Sequence, residues 1–149
     1  MRIHSRGFTQ IELAVVLAVM VLLAAFAIPR FTAIENEGRV SAVASLSASI
    51  RNASALAHAQ WLASGRPDTI DVEGQTVTMH NGYPDAGQTG LPMALPDSAG
   101  FSATLAGDAV VYKKYGAPRP DQCAVVYSPP SSFGTPPKIL LFTANLSGC

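Results

Sequence analysis

Residues 8–28 read FTQIELAVVLAVMVLLAAFAI, and this run limits the chain more than any other feature. From Leu13 to Ile28 there are 16 consecutive residues without a charge, a Gly or a Pro. As a helix, Phe8–Ile28 would span roughly 32 Å at about 1.5 Å per residue, close to a bilayer core of about 30 Å. The preceding segment, MRIHSRG, is short and carries Arg2 and Arg6. Basic residues there keep that end in the cytoplasm, which predicts export of the chain after the run.

A cleaved signal peptide would carry a small-residue cleavage site after the apolar run. Ala25-Phe26-Ala27 is a weak match to one. A plain single-pass anchor is the other simple reading. Neither explains Glu12. A carboxylate at bilayer depth costs on the order of 2.5–3.5 kcal/mol, and such residues are functional by default. Neither explains the Gly7-Phe8 junction, which lies before the run.

Gly7-Phe8-Thr9-Gln10-Ile11-Glu12-Leu13 resembles the prepilin cleavage and methylation motif of type IV pilins and type II secretion pseudopilins. The usual form is Gly followed by Phe-Thr-Leu-Ile-Glu-Leu, so Gln10 is the departure. Pro29 falls where pilins commonly carry a helix-kinking proline. The resemblance implies that a prepilin peptidase cuts between Gly7 and Phe8 and N-methylates the Phe8 amine. It also implies that Glu12 pairs with the N-terminal amine of a neighbouring subunit. A buried charge is tolerable only when paired, which gives such a contact physical sense. Asn81-Gly82-Tyr83-Pro84, Met93-Ala94-Leu95, Pro29-Arg30-Phe31 and a closing Cys123…Tyr127…Cys149 are similar to the mannose-sensitive haemagglutinin branch of the family.

Beyond Pro29 the helix is expected to continue. Ile34, Val40, Val43, Leu46, Ile50, Ala53, Ala57 and Trp61 recur at spacings near three and four, forming one apolar face. Gly65 and Pro67 supply a stop. A helix from Thr9 to Ser64 cannot bury itself in a domain of 149 residues, so its first half needs membrane or neighbours. Pro29 removes a backbone donor, and Gly38 is a second soft point. A simple kink and local melting on assembly are both open readings of that region.

From Thr69 the pattern changes to short strands. Ile70–Met79 around Glu73-Gly74 reads as a hairpin, and Asn81-Gly82-Tyr83-Pro84 as a turn. Leu91, Met93 and Leu95 suggest one helical turn. Val110–Tyr112, Cys123–Tyr127 and Ile139–Phe142 read as strands of an antiparallel sheet. The expected class is α+β: a long N-terminal helix packed on a small antiparallel sheet. The expected organisation is a leader over 1–7, a membrane or filament-core helix over 8–28, its continuation over 29–64, and a β-sheet head over 65–149.

The two cysteines, Cys123 and Cys149, are 26 positions apart. No Cys or His cluster accompanies them, whereas a structural zinc site takes about four ligands. The pair fits one disulfide in an exported domain; two free thiols would be the cytoplasmic alternative. The N-terminus argues for export. Charged residues are 13% of the chain, with no basic block to suggest nucleic acid. His58 and His80 lack companion ligands, and Asp68, Asp71 and Glu73 lack a calcium-loop frame. No acid, base or nucleophile constellation is evident, so neither an enzyme nor a cofactor is expected.

The resemblance therefore implies a filament-forming structural subunit, serving adhesion or motility. Its partners would be copies of itself, the prepilin peptidase and the inner-membrane assembly machinery. It would sit in the bacterial inner membrane before assembly and in an extracellular pilus afterwards. A minor pilin or pseudopilin is the alternative within the family. A membrane-tethered adhesin that never polymerises is the alternative outside it.

Overall fold

A computed structural model describes residues 9–95, 97–143 and 148–149. The fold is α+β. Helix α1 runs from Gln10 to Ala63 as one element of 54 residues, carrying helical backbone through Pro29 and Gly38. The residues through Glu35 form one compact unit and Asn36–Cys149 a second.

Both ends of α1 are capped by its own sequence. At the start, Thr9 Oγ1 accepts the Glu12 N–H at 3.3 Å. At the end, the Gly65 N–H donates to Leu62 O and the Arg66 N–H to Trp61 O. That pair of bonds is a Schellman motif, with Gly65 at φ +83° in the left-handed region it requires. The guanidinium of Arg66 lies 5.7 Å from the Trp61 ring centroid, so the cap is also packed.

Within the second unit, Val43, Leu46, Ile50, Ala53, Ala57 and Trp61 are all buried. This is the face that the three-and-four spacing predicts. Val40 packs at its margin. Ile34 does not belong to it: the residue lies in the first unit and is 63% exposed. The spacing continues to Ile34, but the core ends before it.

Two antiparallel sheets form, where the strand pattern predicts one. The first has three strands: β1 (Thr69–Val72), β2 (Gln75–His80) and β3 (Tyr83–Pro84). Its turns are Glu73-Gly74 and Asn81-Gly82; Tyr83 and Pro84, expected in the second turn, instead pair with His80 and Met79 as strand β3. All four turn residues have positive φ, the backbone that a two-residue hairpin turn demands. A short helix, α2 (Leu91–Ala94), follows. The second sheet has the order β4-β5-β6-β7, with β4 at Phe101–Ala106, β5 at Ala109–Lys114, β6 at Ala124–Ser128 and β7 at Lys138–Phe142.

The middle of α1 packs on the larger sheet, burying Val43, Leu46 and Ile50 with Val110, Tyr112, Val125 and Tyr127. Its last turns pack on the smaller sheet, burying Ala57 and Trp61 with Ile70, Val77 and Met79. Two contacts tie the sheets together. Tyr127 Oη donates to Pro84 O at 2.7 Å, and Asn81 Nδ2 donates to Pro130 O at 2.8 Å.

Burial raises the phenol of Tyr112 from 10.0 to about 12, and burial also raises that of Tyr127. In the unfolded chain both phenols would ionise near 10, while the folded chain holds them neutral. The contribution is therefore complete below pH 10 and lost as pH climbs through the folded values. Each phenol should remove roughly 1.4 kcal/mol per pH unit across that window. Urea midpoints should hold steady up to pH 10 and fall steeply above it. In Tyr112→Phe the fall should be shallower, whatever the baseline stability of that variant.

Candidate functional site

The chemistry-bearing positions lie at the two ends of the chain. At the N-terminal end, Glu12 is the single charge between Gln10 and Ile28. It occupies the third helical position of α1, next to the positive end of the helix dipole. Its Oε2 is 3.5 Å from Thr9 Oγ1, while Thr9 in turn accepts the Glu12 N–H. Thr9 and Glu12 have the Thr-x-x-Glu spacing of a capping box, with the Thr9 half of it made. The carboxylate is exposed and held at the helix entrance.

From Leu13 to Ile28, α1 is apolar all round. Leu13, Val15, Leu17, Met20, Leu22, Leu23 and Phe26 are each between 52% and 78% exposed. By length and composition, α1 is long and apolar enough here to cross a membrane. Gly7 and Phe8, the predicted cleavage and methylation positions, lie outside the described residues. Pro29 lies inside α1, within the first unit.

At the other end, Cys123 and Cys149 come together with S–S 2.01 Å and Cα–Cα 4.8 Å. Both are fully buried in the cluster under α1. The chain end is gripped twice more. Arg39 Nη1 donates to Cys149 O at 2.8 Å and to Asn36 Oδ1 at 3.0 Å. The Arg119 N–H donates to Gly148 O at 3.1 Å. The first turns of α1 inside the second unit are thereby clamped to the closing residues.

Three features were not anticipated by the residue patterns. Thr9 reads in the sequence only as one residue of the longer motif, with no contact to Glu12 expected. Arg39 had no signal pointing to Cys149. The third is a ladder of rings: His58 stacks on Tyr83 at 4.2 Å and on Trp61 at 5.7 Å, and Trp61 stacks on Phe133 at 6.3 Å. His58 Nδ1 sits 2.6 Å from Gly82 O and Trp61 Nε1 donates to Pro67 O at 2.8 Å, so the ladder is anchored to backbone. Gly82 must lack a side chain there, because a Cβ would lie 2.9 Å from the Trp61 ring.

A groove of about 790 Å³ runs between α1, the β1–β2 hairpin and α2, with Ala53, Leu56, Ala57, Val72 and Met93 among its walls. Among the described residues, no group of three or more His, Cys, Asp or Glu side chains is placed to hold a metal ion. No protein family, no curated protein and no solved structure matches the chain.

Proposed function

We propose that the chain is a structural subunit of a type IV pilus-like filament. In this reading it is made as a prepilin, cut between Gly7 and Phe8, and held in the inner membrane until it is assembled. The observation that carries the reading is the pairing of one carboxylate with the apolar, exposed stretch of α1 over residues 13–28. A plain membrane anchor needs Glu12 for no more than capping its own helix with Thr9. A helix that leaves lipid for a bundle of like helices has a further use for it, because transfer between two apolar media gives little driving force of its own. A charge pair then supplies register and recognition. The compact Asn36–Cys149 unit, closed by the Cys123–Cys149 pair, suits an exported head. The partners in this reading are copies of the chain, the peptidase and the assembly machinery. No catalytic role is assigned.

Mass spectrometry of filaments sheared from cells tests the reading. The chain should be the main component and should begin at methylated Phe8. A trace amount would indicate a minor subunit; confinement to the membrane fraction would indicate a tethered domain. Processing has its own test. In Gly7→Val the enlarged side chain should block the peptidase, so full-length precursor should accumulate in the inner membrane and filaments should be lost. Normal filaments from Gly7→Val would rule out the peptidase step.

A further inference from the structure

Among the described residues, the larger sheet ends in two edge strands without a further strand partner, β4 and β7. Natural sheets commonly guard their edges with charge, proline or a covering segment. Here β4 is Phe-Ser-Ala-Thr-Leu-Ala, without a charge, and β7 is Lys-Ile-Leu-Leu-Phe, charged only at Lys138. Leu105 on β4 is 57% exposed; Leu140, Leu141 and Phe142 on β7 are 53%, 44% and 42% exposed.

The cross-strand register says which face each residue occupies. Leu105 stands opposite the buried Val110, and Leu141 opposite the buried Val125. Both therefore lie on the face that packs against α1, but at opposite edges, each lacking a neighbour on one side. On the other face, Thr104, Val111, Val126 and Leu140 form one row across all four strands.

We propose that β7 of one copy pairs with β4 of a second copy, continuing the sheet from subunit to subunit. Four antiparallel strands place β4 and β7 in opposite directions. A second copy in the same orientation thus adds its β4 antiparallel to β7. Such a contact is heterologous, and repeated it gives an open chain of like-oriented copies. The orientation argument rests on the filament reading. Face matching restricts the register, since a slip of one residue would turn every side chain over. The register using all of β7 sets Lys138 opposite Ala106, Ile139 opposite Leu105, Leu140 opposite Thr104, Leu141 opposite Ala103 and Phe142 opposite Ser102. Large meets small at four of these five pairs, so the two edges complement each other.

Cysteine pairs test the contact in the full chain. Leu140→Cys with Thr104→Cys probes one face, and Leu141→Cys with Ala103→Cys the other. Neighbouring pairs in an antiparallel ladder alternate between close and wide spacing, so one of the two is of the close type that a disulfide accepts. Within one chain the paired positions are three strand spacings apart, roughly 14 Å, beyond disulfide reach. Mild oxidation of sheared filaments should convert most of the monomer in at least one double variant into a ladder of oligomers, with the new linkage mapped by mass spectrometry. Each single variant should stay monomeric. Filaments whose double variants both stay monomeric would overturn the contact. Dimers from a single variant would mean a two-fold contact and would overturn it too. If the unaltered chain gives no filaments, the filament reading fails on its own. The same oxidation on the membrane-held chain then decides the contact, a ladder supporting it and monomers overturning it.

Discussion

Cys149→Ser should leave the head domain badly weakened and the exported subunit scarce. The Cys123–Cys149 pair closes the chain between positions 26 apart, for which the chain-entropy treatment gives about 3–4 kcal/mol. Whole domains are stable by only about 5–15 kcal/mol. The surroundings add to the loss. Cys149 is fully buried, so a serine hydroxyl there would need a partner or cost about 1–3 kcal/mol. Arg39 holds the Cys149 carbonyl, and a released tail would give up that bond as well. For a unit of this size the melting temperature should fall by roughly 15–30 °C. Thermal unfolding of the detergent-solubilised full chain measures this directly. An unchanged midpoint, or native thiols open to alkylation, would show that the cysteine pair does not hold the head together.

The sequence spoke clearly where one local rule decides the outcome. Val43 to Trp61 keep helical spacing because a single helix face must meet the core. Glu73-Gly74 and Asn81-Gly82 announce their turns because few residues tolerate positive φ. It was silent where placement depends on distant partners. β4 went unread because Ser102, Ala103 and Ala106 carry little strand preference and leave only scattered strand formers between them. Its place comes from the ladder with β5, which no local pattern encodes. The junction of the two sheets is likewise non-local, since Tyr127 Oη reaches Pro84 O from 43 positions away. The ring ladder draws on positions 58, 61, 83 and 133, which only the finished fold assembles. At the N-terminal end the legible motif named Glu12, while the structure adds that Thr9 holds it.

That addition sharpens the test of Glu12. Two roles are open to the carboxylate: capping its own helix with Thr9, or meeting the amine of another subunit. As a cap it is worth about 0.5–1 kcal/mol, and Thr9→Val should remove most of that while leaving the charge in place. As an intersubunit partner it is the one charge in the apolar segment able to offset an incoming Phe8 amine. Its loss would then strand that amine in the filament core, at about 3–5 kcal/mol per subunit. Under the filament reading, Glu12→Ala should still insert in the membrane, since it makes the segment more apolar, and should still be cut. It should not polymerise, and it should enter filaments poorly when co-expressed with the unaltered chain. Thr9→Val should assemble with only slightly reduced yield. The contrast between the two variants separates the roles, with filament number counted by electron microscopy. Loss of filaments in both would make the helix cap the decisive element. Abundant filaments of normal length in Glu12→Ala would show that no charge pair at this position drives assembly.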